Sequence, residues 1–392
     1  MASIFAAVLS RDSCTHTNHN PLWQGPCAND PLGGITQSML ARFLSCRERF
    51  RLRYVLGLEP YTQWNHRTGY GDMWHICEEA LAAGKDIDQI HAPLDNYIVD
   101  LLDKYPLQRE EITKWYDVCN VQFPEYIKFW SEHQDVVNRK PLVQEYVFDV
   151  PYTLPSGRTV RLRGKFDSVD MIKDHITGPS GGIYLQENKT KGDINKTQVE
   201  RQLRFDLQTM MYLVALQHIK NKDIGTAPIM GIRYNVIRRP LSGGKGNIKP
   251  HSEKRYKTKC IPAETNEAFY ERLRRDYIAD EPDYWFFRVR AEVGDRDVRI
   301  FRETCLDPLL ETLCAWYEEV TGNVEKDIRT ISEQHDLYQR IDKYPRPPMN
   351  YRTPFGVFSA LEEGGSTEYD HYLETGSEAG LRRTDTLFKE LQ

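Results

Sequence analysis

From Val160 to Met171 apolar and polar residues alternate, with β-branched and aromatic side chains frequent among them, which predicts a strand with one buried face. The turn signal His175-Ile-Thr-Gly-Pro-Ser-Gly-Gly182 follows, and a second alternating run from Ile183 to Lys189 predicts the hairpin partner. Beyond Lys196 the period changes. Leu203, Leu207, Met210, Met211 and Val214 recur at helical spacing behind Thr197 and Glu200, which match a capping box. On that predicted helix Arg204, Gln208 and Tyr212 recur every four residues and form one polar stripe. Further upstream, between Glu78 and Asp135, Ile90, Tyr97, Ile98, Leu101 and Leu102, then Trp115, Phe123, Ile127 and Trp130, are also spaced as in helices.

The hairpin carries the candidate chemistry. Strand residues two apart share a face, so Glu187 and Lys189 emerge side by side, and Asp167 on the neighbouring strand can stand next to Glu187. Two carboxylates this close in a partly dry site repel unless a cation lies between them, and oxygen ligation suits Mg²⁺ or Mn²⁺. Phosphodiester cleavage needs such an ion, to activate a water and to neutralise the phosphate, with Lys189 orienting the water or stabilising the developing charge.

In order along the chain, Gly164-Lys165-Phe166-Asp167, Glu187-Asn188-Lys189 and Gln208 with Tyr212 resemble the motifs of the RecB-type branch of the PD-(D/E)XK nuclease superfamily. Two upstream segments agree with it: Gly71-Asp72-Met73-Trp74-His75 resembles the branch's Gly-x-x-x-His motif, and Cys46 to Tyr54 its N-terminal Cys-x-x-x-Phe-x-x-x-Tyr helix. The resemblance implies an α/β restriction-endonuclease-like core, with a central mixed sheet flanked by helices, over residues 35–361, and a helical lobe at about 76–135. Residues 1–34 then read as an N-terminal extension and 362–392 as a partly mobile tail. It implies His75, Asp167, Glu187 and Asn188 as metal ligands, and Asp167, Glu187, Lys189, Gln208 and Tyr212 as the catalytic set. Glu145 matches a family position, but a strand-edge salt bridge is the expected role; Asp170 and Asp193 read as solvated. Many members of the branch carry an iron–sulfur cluster. Cys46 stands at its first position, yet residues 344–355, where the other three cysteines would fall, contain none, so no cluster is expected.

Charge complicates the picture before it supports it. The net charge is −5, but between Arg238 and Lys259 eight Lys or Arg stand against Glu253 alone. Arg238, Arg239, Lys245, Lys249, Lys254 and Arg255, together with Arg204 and Gln208, are therefore the predicted nucleic-acid contacts. The N-terminal segment adds Arg42, Arg47, Arg49, Arg51 and Arg53.

The 392 residues, 40% hydrophobic, suffice for one large core or a core with a helical lobe. No apolar run approaches the ~20 residues of a membrane helix, and Ile4 to Leu9 is too short for a signal core, so neither membrane nor secretory leader is expected. Eight cysteines without metal-site spacing suit a reducing cytoplasm. The function expected is a Mg²⁺- or Mn²⁺-dependent deoxyribonuclease, an exonuclease acting on single-stranded DNA or duplex ends in recombination, repair or phage DNA processing. No nucleotide-binding loop is present, so a helicase or recombinase would be supplied in trans. A non-catalytic DNA-binding subunit and a structure-specific endonuclease are the alternatives.

Overall fold

The computed structural model describes residues 21–322 and 371–391, apart from 46, 62, 134–137, 193, 198, 200–205, 220–223, 225–226, 243, 257–258, 373–374 and 389–390. These residues form two units, one built from Gln63–Val147 and Lys165–Arg299 and the other from described parts of Met1–Thr62, Phe148–Gly164 and Ile300–Gln392.

The first unit holds most of the sheet, while Phe148–Thr153 of the first strand and Thr159–Gly164 of the second belong to the other unit. Its strands are β1 (Arg139–Thr153), β2 (Thr159–Ile172), β3 (Gly182–Lys191), β4 (Ile229–Arg238) and β5 (Phe286–Glu292), in the spatial order β1-β2-β3-β4-β5. The predicted hairpin is present: β2 runs antiparallel to β3, with Ser168 opposite Gln186 and Ile172 opposite Gly182. β3 and β4 are parallel, with Glu187 opposite Tyr234 and Lys189 opposite Val236, and β5 closes the sheet antiparallel to β4. The sheet is thus mixed, as expected. A parallel pair needs a crossover, and the helix α4 (Leu207–His218) lies within it.

Three further helices precede the sheet: α1 (His66–Ala82), α2 (Ile87–Lys104) and α3 (Arg109–Ser131). Asn65 caps α1 by accepting from the Arg67 N–H, and Asp86 with Gln89 forms a reciprocal capping box on α2. Their apolar faces meet in a core that includes Tyr70, Trp74, Ile90, Trp115 and Phe123. No described helix is long and apolar enough to cross a membrane.

In the second unit Trp23 is fully buried, 5.2 Å from the Phe50 ring and 4.9 Å from Tyr317, and its Nε1–H donates to Gly34 O. Within residues 21–34, placed in a surface extension by composition, Trp23, Gly25 and Pro26 are therefore packed, while Gln24 and Asn29 to Pro31 remain exposed: one large aromatic anchors a polar neighbourhood. Within the arginine-rich segment Arg51 is buried, while Arg53 faces Glu59 at 3.4 Å.

Candidate active site

The site lies wholly within the first unit, at the end of the β2–β3 ladder. Main-chain pairing between these strands stops at Ser168 and Gln186. Beyond it the Asn188 N–H donates to Asp167 Oδ2 at 2.6 Å, a side chain replacing the missing ladder partner. Asp167, Glu187 and Lys189 share one face of the sheet, and Gln186 and Asn188 occupy the other. On α1, a Cβ at Gly71 would stand 3.3 Å from Thr190 Oγ1, so glycine lets the helix lie close to β3 and delivers His75 one turn later.

Glu187 is fully buried. Its Oε2 accepts from Gln208 Nε2 at 2.8 Å and from Lys189 Nζ at 3.2 Å, and Lys189 Nζ also donates to Gln208 Oε1 at 2.7 Å. The Gln208 amide thus closes a triangle with the acid and the amine. The other oxygen, Oε1, is buried without a hydrogen-bond partner. Burial and the Asp167 charge push the Glu187 carboxyl well above the usual range, and Lys189 offsets only part of this. For Lys189 the balance is reversed: burial disfavours the ammonium, but Glu187 and Asp167 outweigh it and raise its pKa, so the amine stays charged.

His75 Nδ1 is 3.9 Å from Asp167 Oδ1, too far for a hydrogen bond. With Glu145 these two residues offer three ligand atoms within 4.8 Å of one another. Glu145 has φ 46°, a left-handed conformation that costs a non-glycine residue about 1 kcal/mol or more. Its Oε2 lies 2.6 Å from Lys165 Nζ. Burial first, then the Asp167 charge, raises the Glu145 carboxyl, with Lys165 opposing. The salt bridge expected of Glu145 is present, and the same carboxylate faces His75 and Asp167. Carboxylates, one imidazole and an orphaned buried oxygen form a donor set that fits Mg²⁺ or Mn²⁺.

Gln208 and Tyr212 are both at the site. The Tyr212 ring packs edge-on against Phe166 at 5.5 Å, and its hydroxyl interacts with Gln208 and the Lys165 main chain. The helix that carries them differs from expectation. Asp206 is extended (ψ 126°) and caps α4 by accepting from the Gln208 N–H, so α4 begins at Leu207; Arg204, Glu200 and Leu203 lie outside the described residues. Asp206 Oδ2 accepts from the Tyr234 hydroxyl, which adds two site neighbours that the motif order did not single out. The Asn188 side chain points away, to Asn235 at 2.8 Å, so its contribution here is its main chain.

The basic run divides. Arg238 and Arg239 are buried: Arg238 stacks 4.0 Å over Tyr284 and donates to its carbonyl, and Arg239 donates to Ser242 Oγ and Arg67 O. Arg238 ends β4 and Arg239 follows it, both in packed surroundings rather than in an open loop, which corrects their reading as exposed contacts. Lys245, Lys249, Lys254 and Arg255 are exposed, with Lys245 near Glu281 and Arg255 bonded to Glu253. Asp170 is a second correction: it is fully buried and not solvated. Cys46, Asp193 and residues 344–355 lie outside the described residues; the described cysteines are free thiols.

The family model that describes the PD-(D/E)XK nuclease superfamily matches residues 35–299, more than half of the chain. No curated protein matches it.

Proposed function

From the premise that the chain belongs to the PD-(D/E)XK nuclease superfamily, we propose that it hydrolyses phosphodiester bonds in DNA with Mg²⁺ or Mn²⁺, as a member of the RecB-type branch that works without an iron–sulfur cluster. The observation that carries this reading is Glu187: a buried carboxylate with one oxygen fixed by Lys189 and Gln208 and the other left without a partner, beside Asp167. An acid buried at such cost and only half satisfied is poised for a cation.

Glu187, Asp167, His75 and Glu145 would hold the ion, with the Asn188 main chain at their edge. The ion supplies water activation and neutralises phosphate charge. The protein's own residues do the rest. Lys189, kept protonated by its carboxylate neighbours, is a donor and counter-charge, not a proton acceptor. Gln208 fixes the spacing of Lys189 and Glu187, and Tyr212, whose hydroxyl burial keeps protonated, braces Gln208. Asp206 in turn fixes the first turn of α4, on which Gln208 sits.

Exonuclease action is proposed from the order and spacing of Gly71–His75, Asp167, Glu187–Lys189 and Gln208–Tyr212, with DNA unwinding supplied in trans in the cytoplasm. The test uses metal-depleted protein, end-labelled linear DNA and closed circular DNA, with Mg²⁺ or Mn²⁺ restored. Label released from linear DNA, an intact circle and no stoichiometric iron in the preparation are the expected results. A cut circle would make it an endonuclease, and two intact substrates at every metal concentration would overturn the reading.

A further inference from the structure

Glu187, Lys189 and Lys191 occupy successive positions on one face of β3, each step being about 6.6 Å along the strand. The site holds three lysines. Lys165 is paired with Glu145 and Lys189 with Glu187. Lys191 is half-buried on the strand's last residue, and among the described residues the charges that act on it are Lys189, which repels, and Asp206, which attracts. Asp206 has both oxygens engaged, one by the Gln208 N–H and the other by the Tyr234 hydroxyl. Burial and Lys189 together pull the Lys191 ammonium below its ordinary value.

Nothing in its setting suggests a mobile surface amine. Its main chain is fixed by register opposite Arg238 in β4, and its carbonyl accepts from the Arg239 N–H at 2.7 Å. Two ammonium groups on one strand face, one of them partly desolvated and without an ion pair among the described residues, are unfavourable in the free protein unless an anion joins them. The carboxyl ends of parallel strands are where such ligands bind.

We propose that Lys191 binds a backbone phosphate of the nucleic-acid strand next to the one that Lys189 faces, and so sets which bond lies over Glu187 and Asp167. This rests on the nuclease reading above for the identity of the substrate. The phosphate ladder of a nucleic acid matches a ladder of cations on a strand, whereas a lone small anion would not require the second lysine.

The experiment measures binding separately from cleavage. A fluorescein-labelled single-stranded DNA oligonucleotide is titrated with wild-type protein, Lys191→Ala and Lys191→Arg in EDTA across a salt series. Lys191→Ala should weaken binding and flatten the slope of log affinity against log salt by roughly 0.7, the loss of one phosphate contact, and Lys191→Arg should restore most of it. With Mg²⁺ and cleavage assayed, Lys191→Ala should raise KM several-fold while kcat at saturating DNA falls far less, and Mn²⁺ affinity should not move. An unchanged salt slope overturns the proposal, as does a loss confined to kcat or a wild-type protein that does not bind the oligonucleotide. Binding with a Lys191-dependent slope but no hydrolysis would keep the phosphate contact and sink the catalytic reading instead.

Discussion

Two fully buried acids sit on adjacent strands of the same sheet, Asp170 on β2 and Glu187 on β3, and their surroundings differ in one respect. Asp170 is complete: Oδ2 accepts from Arg139 Nε at 2.7 Å and Arg233 Nη2 at 2.8 Å, and Oδ1 from Ser168 Oγ at 2.6 Å. Burial alone would raise its pKa, but the two guanidinium groups overcome it and hold the carboxyl below the ordinary range. Glu187 has one lysine and one amide on a single oxygen, nothing on the other, and a second carboxylate nearby, so its carboxyl is raised. The chain can evidently satisfy a buried carboxylate where the role is structural. Glu187 is the buried acid that stands half-satisfied beside a second carboxylate, which is the setting in which a cation would complete it.

Breaking the two clusters should therefore fail in different ways. Asp167→Ala or Glu187→Ala should reduce DNA cleavage on the order of 10³-fold or more in protein that still unfolds cooperatively; cleavage retained in either variant would remove the metal site from the mechanism. Asp170→Asn should do the converse. It strands Arg139 and Arg233 without a counter-charge and should cost about 3–5 kcal/mol of stability by urea unfolding. The sign follows from the depressed folded pKa. Asp170 contributes its stability above the unfolded value of about 3.9 and loses it as pH falls towards the lower folded value, so wild type should lose its advantage over Asp170→Asn in acid. A flat difference from pH 7 down to pH 3 would show that Asp170 is not the charged centre of its cluster.

The hairpin was legible because alternation, a glycine-rich turn and a second alternating run agree with one another, and Asp167, Glu187 and Lys189 then follow from the two-residue period. Asp170 was not. Its partners lie 31 and 63 residues away on β1 and β4, and no local pattern distinguishes a buried aspartate with distant arginines from a solvated one. The basic run misled for a related reason: composition marks charge, not where a strand ends, and β4 extends to Arg238 and so places the first two arginines in packed surroundings. The break at Asp206 is not legible because Leu203, Leu207 and Met210 keep helical spacing across it, and only the extended backbone at Asp206 shows where α4 begins. For Glu145 the salt bridge is legible but the left-handed backbone at φ 46° is not, because its residue type does not favour that conformation.

The smallest effect is also the sharpest test of the comparison, because its sign is opposite to that at Asp170. A raised folded pKa means that the ionised Glu187 destabilises the metal-free fold at neutral pH, a cost that disappears as pH falls through the folded value towards the unfolded value of about 4.3. Glu187→Gln keeps the shape and removes the charge, so without metal at pH 7 it should unfold at a higher Tm than wild type. The gain should fade towards pH 4. Adding Mn²⁺ should reverse the order, since the ion stabilises only the protein that binds it, by an amount that grows with its concentration over the dissociation constant. If Glu187→Gln is less stable than wild type in EDTA, then Glu187 is satisfied by the chain after all and the contrast with Asp170 does not hold.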